Sequence, residues 1–200
     1  MITQYTEKYY HQFYTYLTSY APISDTSFDK LRKLIGVKSV EEQEYLLQIG
    51  EIAKTQYFVC EGVVISEYLN SNGNVHIKNF FTEGNLAASK VSLIQASPSA
   101  FALQSLRDGV VLAFDYRKYR QLVHKNDDLK NIYVAYLEQS WVIKNEQRQI
   151  AFATQTATER YQTFLTEYPN LESRVPQLYI ASYLGITPTQ LSRIRRNLFK

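Results

Sequence analysis

SRVPQLYIASYLGITPTQLSRIRRNLFK, residues 173–200, carries five positive charges and no carboxylate: Arg174, Arg193, Arg195, Arg196 and Lys200. The whole 200-residue chain has a net charge of +3, so residues 1–172 carry −2 and the basic character is local. Such a concentrated cationic end is the electrostatic footprint of a module that sits on phosphates. The apolar spacing is more specific than the charge. Ile180, Ala181 and Leu184 share one face of a first helix, and Pro176 suits its opening turn, where its missing N–H costs nothing. Gly185 ends that helix, because glycine tolerates a left-handed exit. Thr187 then serves as N-cap, Pro188 as the first helical residue, and Gln190 completes a Thr-x-x-Gln capping box. Leu191, Ile194 and Leu198 face inward, whereas Thr189, Ser192, Arg193, Arg195 and Arg196 face outward. Two short helices, a tight glycine turn and a polar-basic second helix describe a helix-turn-helix, with Ala181 small enough to let the helices approach. The arginine run alone would equally describe a solvated end on a helical hairpin. Run, cap, glycine and small residue together favour double-stranded DNA as the partner.

The remaining ~150 residues are long enough for a core of their own. A hydrophobic fraction of 45% with 20% charged residues is ordinary for a soluble chain, and 17 Tyr and 10 Phe make the packing unusually aromatic. The single cysteine, Cys60, excludes an internal disulfide and a thiolate cluster; within YFVC it reads as a small buried hydrophobe. No apolar run approaches the ~20 residues of a membrane span, and Gln4, Glu7 and Lys8 break any signal-peptide core. A cytoplasmic location with no membrane partner is expected.

Residues 57–60, 63–68, 75–81, 101–106 and 110–114 are rich in β-branched and aromatic side chains and read as strands. Gly50, Gly62, Gly73 and Gly84 recur every 11 or 12 residues, and NSNGN at 70–74 is a hairpin turn. Closing short strands at this spacing into a roll removes exposed edges. Helical patterns occupy 1–20, 26–36 and 116–124. The longest helix opens at Asn126, Asp127 and Asp128 and carries an apolar stripe through Leu129, Ile132, Tyr133, Tyr136 and Leu137 toward Trp141, Ile143 and Ile150. Thr156 to Glu159 forms a second capping box, so a hinge is expected near 154–156. The expected fold class is α+β: a jelly-roll-like β-roll with flanking helices over 1–125, a long dimerisation helix over 126–153, and a helix-turn-helix domain over 154–200.

The order of these parts resembles the Crp/Fnr family of bacterial transcription regulators. QYFVCEGVV at 56–64, FFTEGN at 80–85 and ATERYQTFLTEYPNLESRVPQLYIASYLGITPTQLSRIRR at 157–196 carry the resemblance, the last being similar to the versions in Bacteroidetes. The resemblance implies a homodimer on a near-palindromic operator, with recognition helices roughly 34–36 Å apart, and RNA polymerase as a further partner. It places DNA contacts at Thr187, Thr189, Gln190, Ser192 and Arg193, with Arg195 and Arg196 on phosphates. Arg193 suits the O6 and N7 of a guanine; Thr187 and Gln190 could position on phosphates or simply cap the helix.

Members that bind cyclic AMP present a Gly-Glu pair and an Arg-Ser or Arg-Thr pair in the roll. Here those positions fall on Ala88-Ser89 and Pro98-Ser99, leaving no arginine for the cyclic phosphate and no glutamate for the ribose. A cyclic AMP response is not expected. Lys90 is the nearby cation, for which a solvated surface position is the commoner outcome. His11, His76 and His124 have no paired spacing for haem and no cofactor is expected. The roll could bind an unidentified small-molecule effector, bind a protein, or hold the dimer without sensing. After Arg196 only Asn197 to Lys200 follow, where the family continues into a β-hairpin wing; either the wing is absent or the chain continues, and without it dimer avidity matters more. The chain has no HxH, GxSxG or GxxxxGK[ST], so an enzyme is not expected. The rival reading is a dimeric small-molecule or protein-binding module with a vestigial helix-turn-helix.

Overall fold

Val, Ile, Phe and Tyr are concentrated in short runs between residues 35 and 115, and those runs build two antiparallel four-stranded sheets. The computed structural model of the protein describes residues 2–69 and 75–198; the expected turn at 70–74 and Lys200 lie outside the described residues. Helices α1 (Ile2–Thr18) and α2 (Asp25–Arg32) precede strands β1 (Ile35–Val40), β2 (Tyr45–Leu47), β3 (Thr55–Glu61), β4 (Val64–Leu69), β5 (Val75–Phe81) and β6 (Leu86–Ala87). After α3 (Lys90–Gln95) come β7 (Ala102–Ser105), β8 (Gly109–Asp115) and α4 (Tyr116–Lys125). One sheet has the order β1-β8-β3-β6 and the other β2-β7-β4-β5. Phe13 of α1, Phe58, Val59, Val64, Leu103 and Leu112 belong to one buried cluster that fills the roll.

Each expected strand falls on an observed one, but β1, β2 and β6 carried too little periodicity to be read from sequence. The expected helix over 26–36 ends at Arg32, and Ile35 begins β1 instead. Residues Ile35 to Val40 pair in unbroken register with β8, from Ile35 opposite Phe114 to Val40 opposite Gly109. Six ladder positions outweigh a helical pattern that runs four residues past the end of α2.

The roll also depends on one close backbone crossing. Gly62 sits at φ +101°, and a Cβ on Gly109 would lie 2.3 Å from the Glu61 carbonyl oxygen. That distance cannot be met without moving β3 away from β8.

The long helix is not one uniform α-helix. Helix α5 (Asp127–Tyr136) buries Leu129, Ile132 and Tyr136 against the roll, then Leu137–Ile143 winds as π-helix before α6 (Lys144–Thr154). The wider turns shift the helical phase, so the expected stripe does not continue inward. Ile143 and Ile150 are exposed, together with Val134, Val142 and Phe152. Ser140 and Trp141 in the π stretch are hydrogen-bonded to Tyr20 and Tyr136 respectively.

Helices α7 (Ala157–Glu167), α8 (Gln177–Leu184) and α9 (Pro188–Leu198) complete the chain. They do not form a separate core. Val63, Ile65, Ile77 and Phe80 of the roll share one buried cluster with Phe164, Leu171, Ile180, Ala181, Leu184 and Leu191. The Phe80 ring lies 6.0 Å from Phe164, 6.1 Å from Tyr168 and 5.3 Å from Tyr183. Strand β5 is an edge strand, and α8 covers it: the Ile77 N–H donates to Ser182 Oγ at 3.0 Å.

Gly109→Ala is expected to lower the free energy of unfolding by about 1–3 kcal/mol, the usual cost of forcing extra atoms into a packed site. Urea melts of the two proteins measure it; an unchanged midpoint would contradict the crossing geometry.

Candidate nucleic-acid interface and ligand cleft

Local chemistry sets the α8–α9 pair. Gly185 takes the left-handed conformation at φ +68° and closes α8, with its N–H donating to Ser182 O and the Ile186 N–H to Ala181 O. Thr187 and Gln190 then cap α9 reciprocally: Thr187 N–H donates to Gln190 Oε1 at 2.9 Å, and Gln190 N–H to Thr187 Oγ1 at 3.2 Å. Leu191 is fully buried between the helices, with Ile194 and Leu198 packed against the same cluster. Thr187, Thr189, Gln190, Ser192, Arg193 and Arg196 are all exposed.

The cationic footprint is thinner than the sequence implied. Arg195 Nε lies 2.6 Å from Glu172 Oε1, and Tyr161 OH donates to the same carboxylate oxygen at 2.5 Å. Arg174 forms a two-pronged pair with Glu83, 2.6 Å and 2.9 Å, and donates to Gly62 O. Burial alone would raise the Glu83 carboxyl, but its bonds from Arg174 and the Gly62 N–H hold it below the usual carboxylate range. Arg193 and Arg196 therefore remain as the outward cations of α9 among the described residues. Glu83, Arg174 and Ser182 had no local sequence signal, since their partners stand 91 to 112 residues away.

The five roll positions expected to hold an effector do not form an open pocket. Ser89, Lys90 and Ser99 are buried, and Ser99 Oγ donates within this group to Ser89 Oγ at 2.9 Å. Pro98 is exposed and pairs across an isolated bridge with Ile52. Ala88 is the member that reaches a cavity. Lys90 is the clear correction: it is only 6% exposed rather than solvated. Its ammonium donates to Gln56 Oε1 and lies 5.1 Å from the Tyr136 ring and 5.9 Å from that of Tyr116. Burial without a carboxylate, aided by the positive Arg120, pushes the lysine down to about 7. Cys60 is buried, as expected, and its thiol is pushed up to about 12 by that burial. Among the described residues no cluster of His, Cys, Asp and Glu could hold a metal ion. No helix among them is long and apolar enough to cross a membrane.

A cavity of about 590 Å³ opens instead where β5, α6, α7 and α8 meet. Its wall carries Lys78, Lys144, Arg148 and Arg160, with Glu167 as a carboxylate, beside a broad aromatic surface.

Residues 37–126 match the family model for the cyclic nucleotide-binding domain. No curated protein sequence matches the chain. Among solved structures the chain is similar to FixK2 from Bradyrhizobium japonicum, at 20% identity over 82% of this chain and 84% of that one, TM-score 0.66. It is similar to the c-di-GMP-responsive global regulator CLP of Xanthomonas campestris, at 14% identity over 88% and 91%, TM-score 0.67. The Thermus thermophilus catabolite activator protein matches at 16% identity over 90% and 85%, TM-score 0.55. At these identities the likeness shows the fold alone, and it extends beyond the roll to between 82 and 90% of this chain.

Lys90 gives the roll a distinctive pH response. The unfolded chain keeps this proton up to about pH 10.4, whereas the folded protein releases it near 7. Between those values the unfolded state binds more protons, so the Lys90 contribution makes stability rise with pH. Lys90→Met should raise stability at pH 7 by about 1–3 kcal/mol, on the order of removing an uncompensated buried charge, and should flatten the rise. Chemical melts from pH 6.5 to 9.5 check this; a parallel pH profile in the variant would contradict it.

Proposed function

We propose that the chain is a sequence-specific, double-stranded-DNA-binding transcription regulator of the Crp/Fnr type, working as a homodimer. The observation that carries this reading is the outward face of α9. Thr189, Ser192, Arg193 and Arg196 stand exposed on a helix whose opposite side is anchored by Leu191 and whose N-terminus is capped. A capped, rigid, basic helix projecting from a small helical module fits the major groove. Arg193 reads base edges, and Arg196 sits on phosphate. Thr187 and Gln190 already satisfy each other, so their contribution is to hold the helix start in position. Arg195 serves the module through Glu172 rather than the DNA.

Dimerisation is supported by the long helix. Val134, Val142, Ile143 and Ile150 are 48 to 61% exposed along it. Large aliphatic side chains left in water along one element mark an interaction surface, and a two-fold pairing there would present two α9 helices to one duplex.

Selection of binding sites from random duplex DNA, followed by titrations at several salt concentrations, tests the proposal. One phosphate-bound arginine per subunit, Arg196, gives about two phosphate-neutralising charges per dimer, so log K should fall with log salt at a slope of about −2. Arg193→Ala should reduce the preference for the selected site by about 1–3 kcal/mol. Arg196→Ala should flatten the salt slope, and Arg195→Ala should lower the melting temperature with the slope retained. No enriched sequence, or equal loss on selected and random DNA in Arg193→Ala, would refute the reading.

A further inference from the structure

The three arginines of α9 are not equivalent, and the difference comes from a residue that stands immediately before the carboxylate-free stretch 173–200. Glu172 lies in a short 3₁₀ turn (Leu171–Ser173) whose backbone is pinned on both sides. Leu171 is fully buried in the cluster that also holds Leu191, and Arg174 pairs with Glu83. One carboxylate oxygen of Glu172 then meets two other elements. Tyr161 OH of α7 donates to Oε1 at 2.5 Å, and Arg195 Nε of α9 lies 2.6 Å from the same atom. The Tyr161 side chain is fully buried, and burial together with the bond to Glu172 pushes its hydroxyl up to about 12, so it stays a protonated donor at any physiological pH. A fixed donor on one side and a pinned backbone on the other hold the carboxylate where it is.

The Arg195–Glu172 pair is partly exposed, with side chains 31% and 22% accessible, a class that contributes little to folding stability. Its larger consequence is electrostatic. Arg195 follows Ser192 by three residues and adjoins Arg196, so it stands on the flank of the outward face of α9, where a long side chain reaches the backbone that Arg196 meets. Its Nε makes no aligned hydrogen bond, so Glu172 neutralises the guanidinium without using that donor. An arginine already matched by a carboxylate adds no net charge to the surface that DNA meets. Moving it to a phosphate would strand Glu172 with Tyr161 as its remaining partner at that oxygen.

We propose that Glu172 is a positioning residue for DNA binding, which withholds Arg195 from phosphate as an internal rival of the DNA backbone and so lowers affinity for every sequence alike. The proposal rests on the reading of α9 as a DNA-binding helix and goes further, assigning the strength of sequence-independent binding to one carboxylate outside that helix. Base reading stays with Arg193, because phosphate contacts carry no sequence information.

Binding titrations on the selected site and on random duplex, from about 50 to about 200 mM salt, test it. Two phosphate-neutralising charges per dimer make native affinity fall about twelvefold across that range; Glu172→Gln frees two more and makes the fall about 150-fold, equally on both duplexes. Adding Arg195→Met to Glu172→Gln should return the fall to about twelvefold, and Glu172→Asp, which keeps the charge, should stay near the native value. Gln retains an acceptor for the Tyr161 hydroxyl, and melting temperatures check that each variant is folded. One readout needs no substitution: in the native chain the Arg195 Nε–H resonance should stay in place as duplex is added, while that of Arg196 moves. With the native chain binding duplex, an unchanged salt dependence in folded Glu172→Gln, a steepening that survives Arg195→Met, or an Arg195 resonance that moves with that of Arg196 would overturn the inference alone. A native chain that binds neither duplex would overturn the DNA-binding reading, and this inference with it.

Discussion

The docking of α8 onto the open edge of β5 is the contact on which the rest of the molecule depends. An edge strand exposes unpaired backbone groups, and here a helix rather than another strand answers them, through Ser182 and the Ile77 N–H. The side chains decide the strength. Phe80 meets Phe164, Tyr168 and Tyr183 in a buried cluster, and each such ring pair contributes roughly 0.5–1.5 kcal/mol beyond its buried area. The Arg174–Glu83 pair, with side chains 31% and 39% exposed, belongs to a class worth about 0–1 kcal/mol. Aromatic packing therefore holds the C-terminal module, and the ion pair fixes its orientation.

That arrangement also places the cavity of about 590 Å³ beside the C-terminal module, lined by the same elements that the Phe80 cluster brings together. The π-helical stretch adds a second consequence. It turns the apolar residues beyond Tyr136 outward, leaving Val142, Ile143 and Ile150 in solvent while Leu129 and Ile132 stay inside. One helix thus serves the roll with its first half and presents an apolar face with its second.

The sequence was most informative where the controlling interactions are local. Gly185, Thr187, Pro188 and Gln190 lie within six residues, and their capping chemistry together with the apolar spacing on either side marks the turn and both helices. The strongly β-branched strands were equally readable. What escaped was long-range. Ile35 was assigned to a helix because nothing nearby reveals its register with Phe114, 79 residues on. Lys90 was expected in solvent because its aromatic cage comes from Tyr116 and Tyr136, on other elements. The pairing of Arg195 with Glu172 hid in the same way, and it removes one of the arginines that the charge pattern assigned to DNA. Of the candidate site, the outward face of α9 was legible and the cleft was not, since Lys78 and Arg148 are 70 residues apart and neither carries a motif.

Differential scanning calorimetry of the full chain tests most directly whether roll and C-terminal module are one unit built on the Phe80 cluster. A single transition is expected, with calorimetric and van't Hoff enthalpies equal within error, as for one cooperative core. Two resolved transitions, with the calorimetric enthalpy well above the van't Hoff value, would show the module melting independently of the roll and would contradict the account.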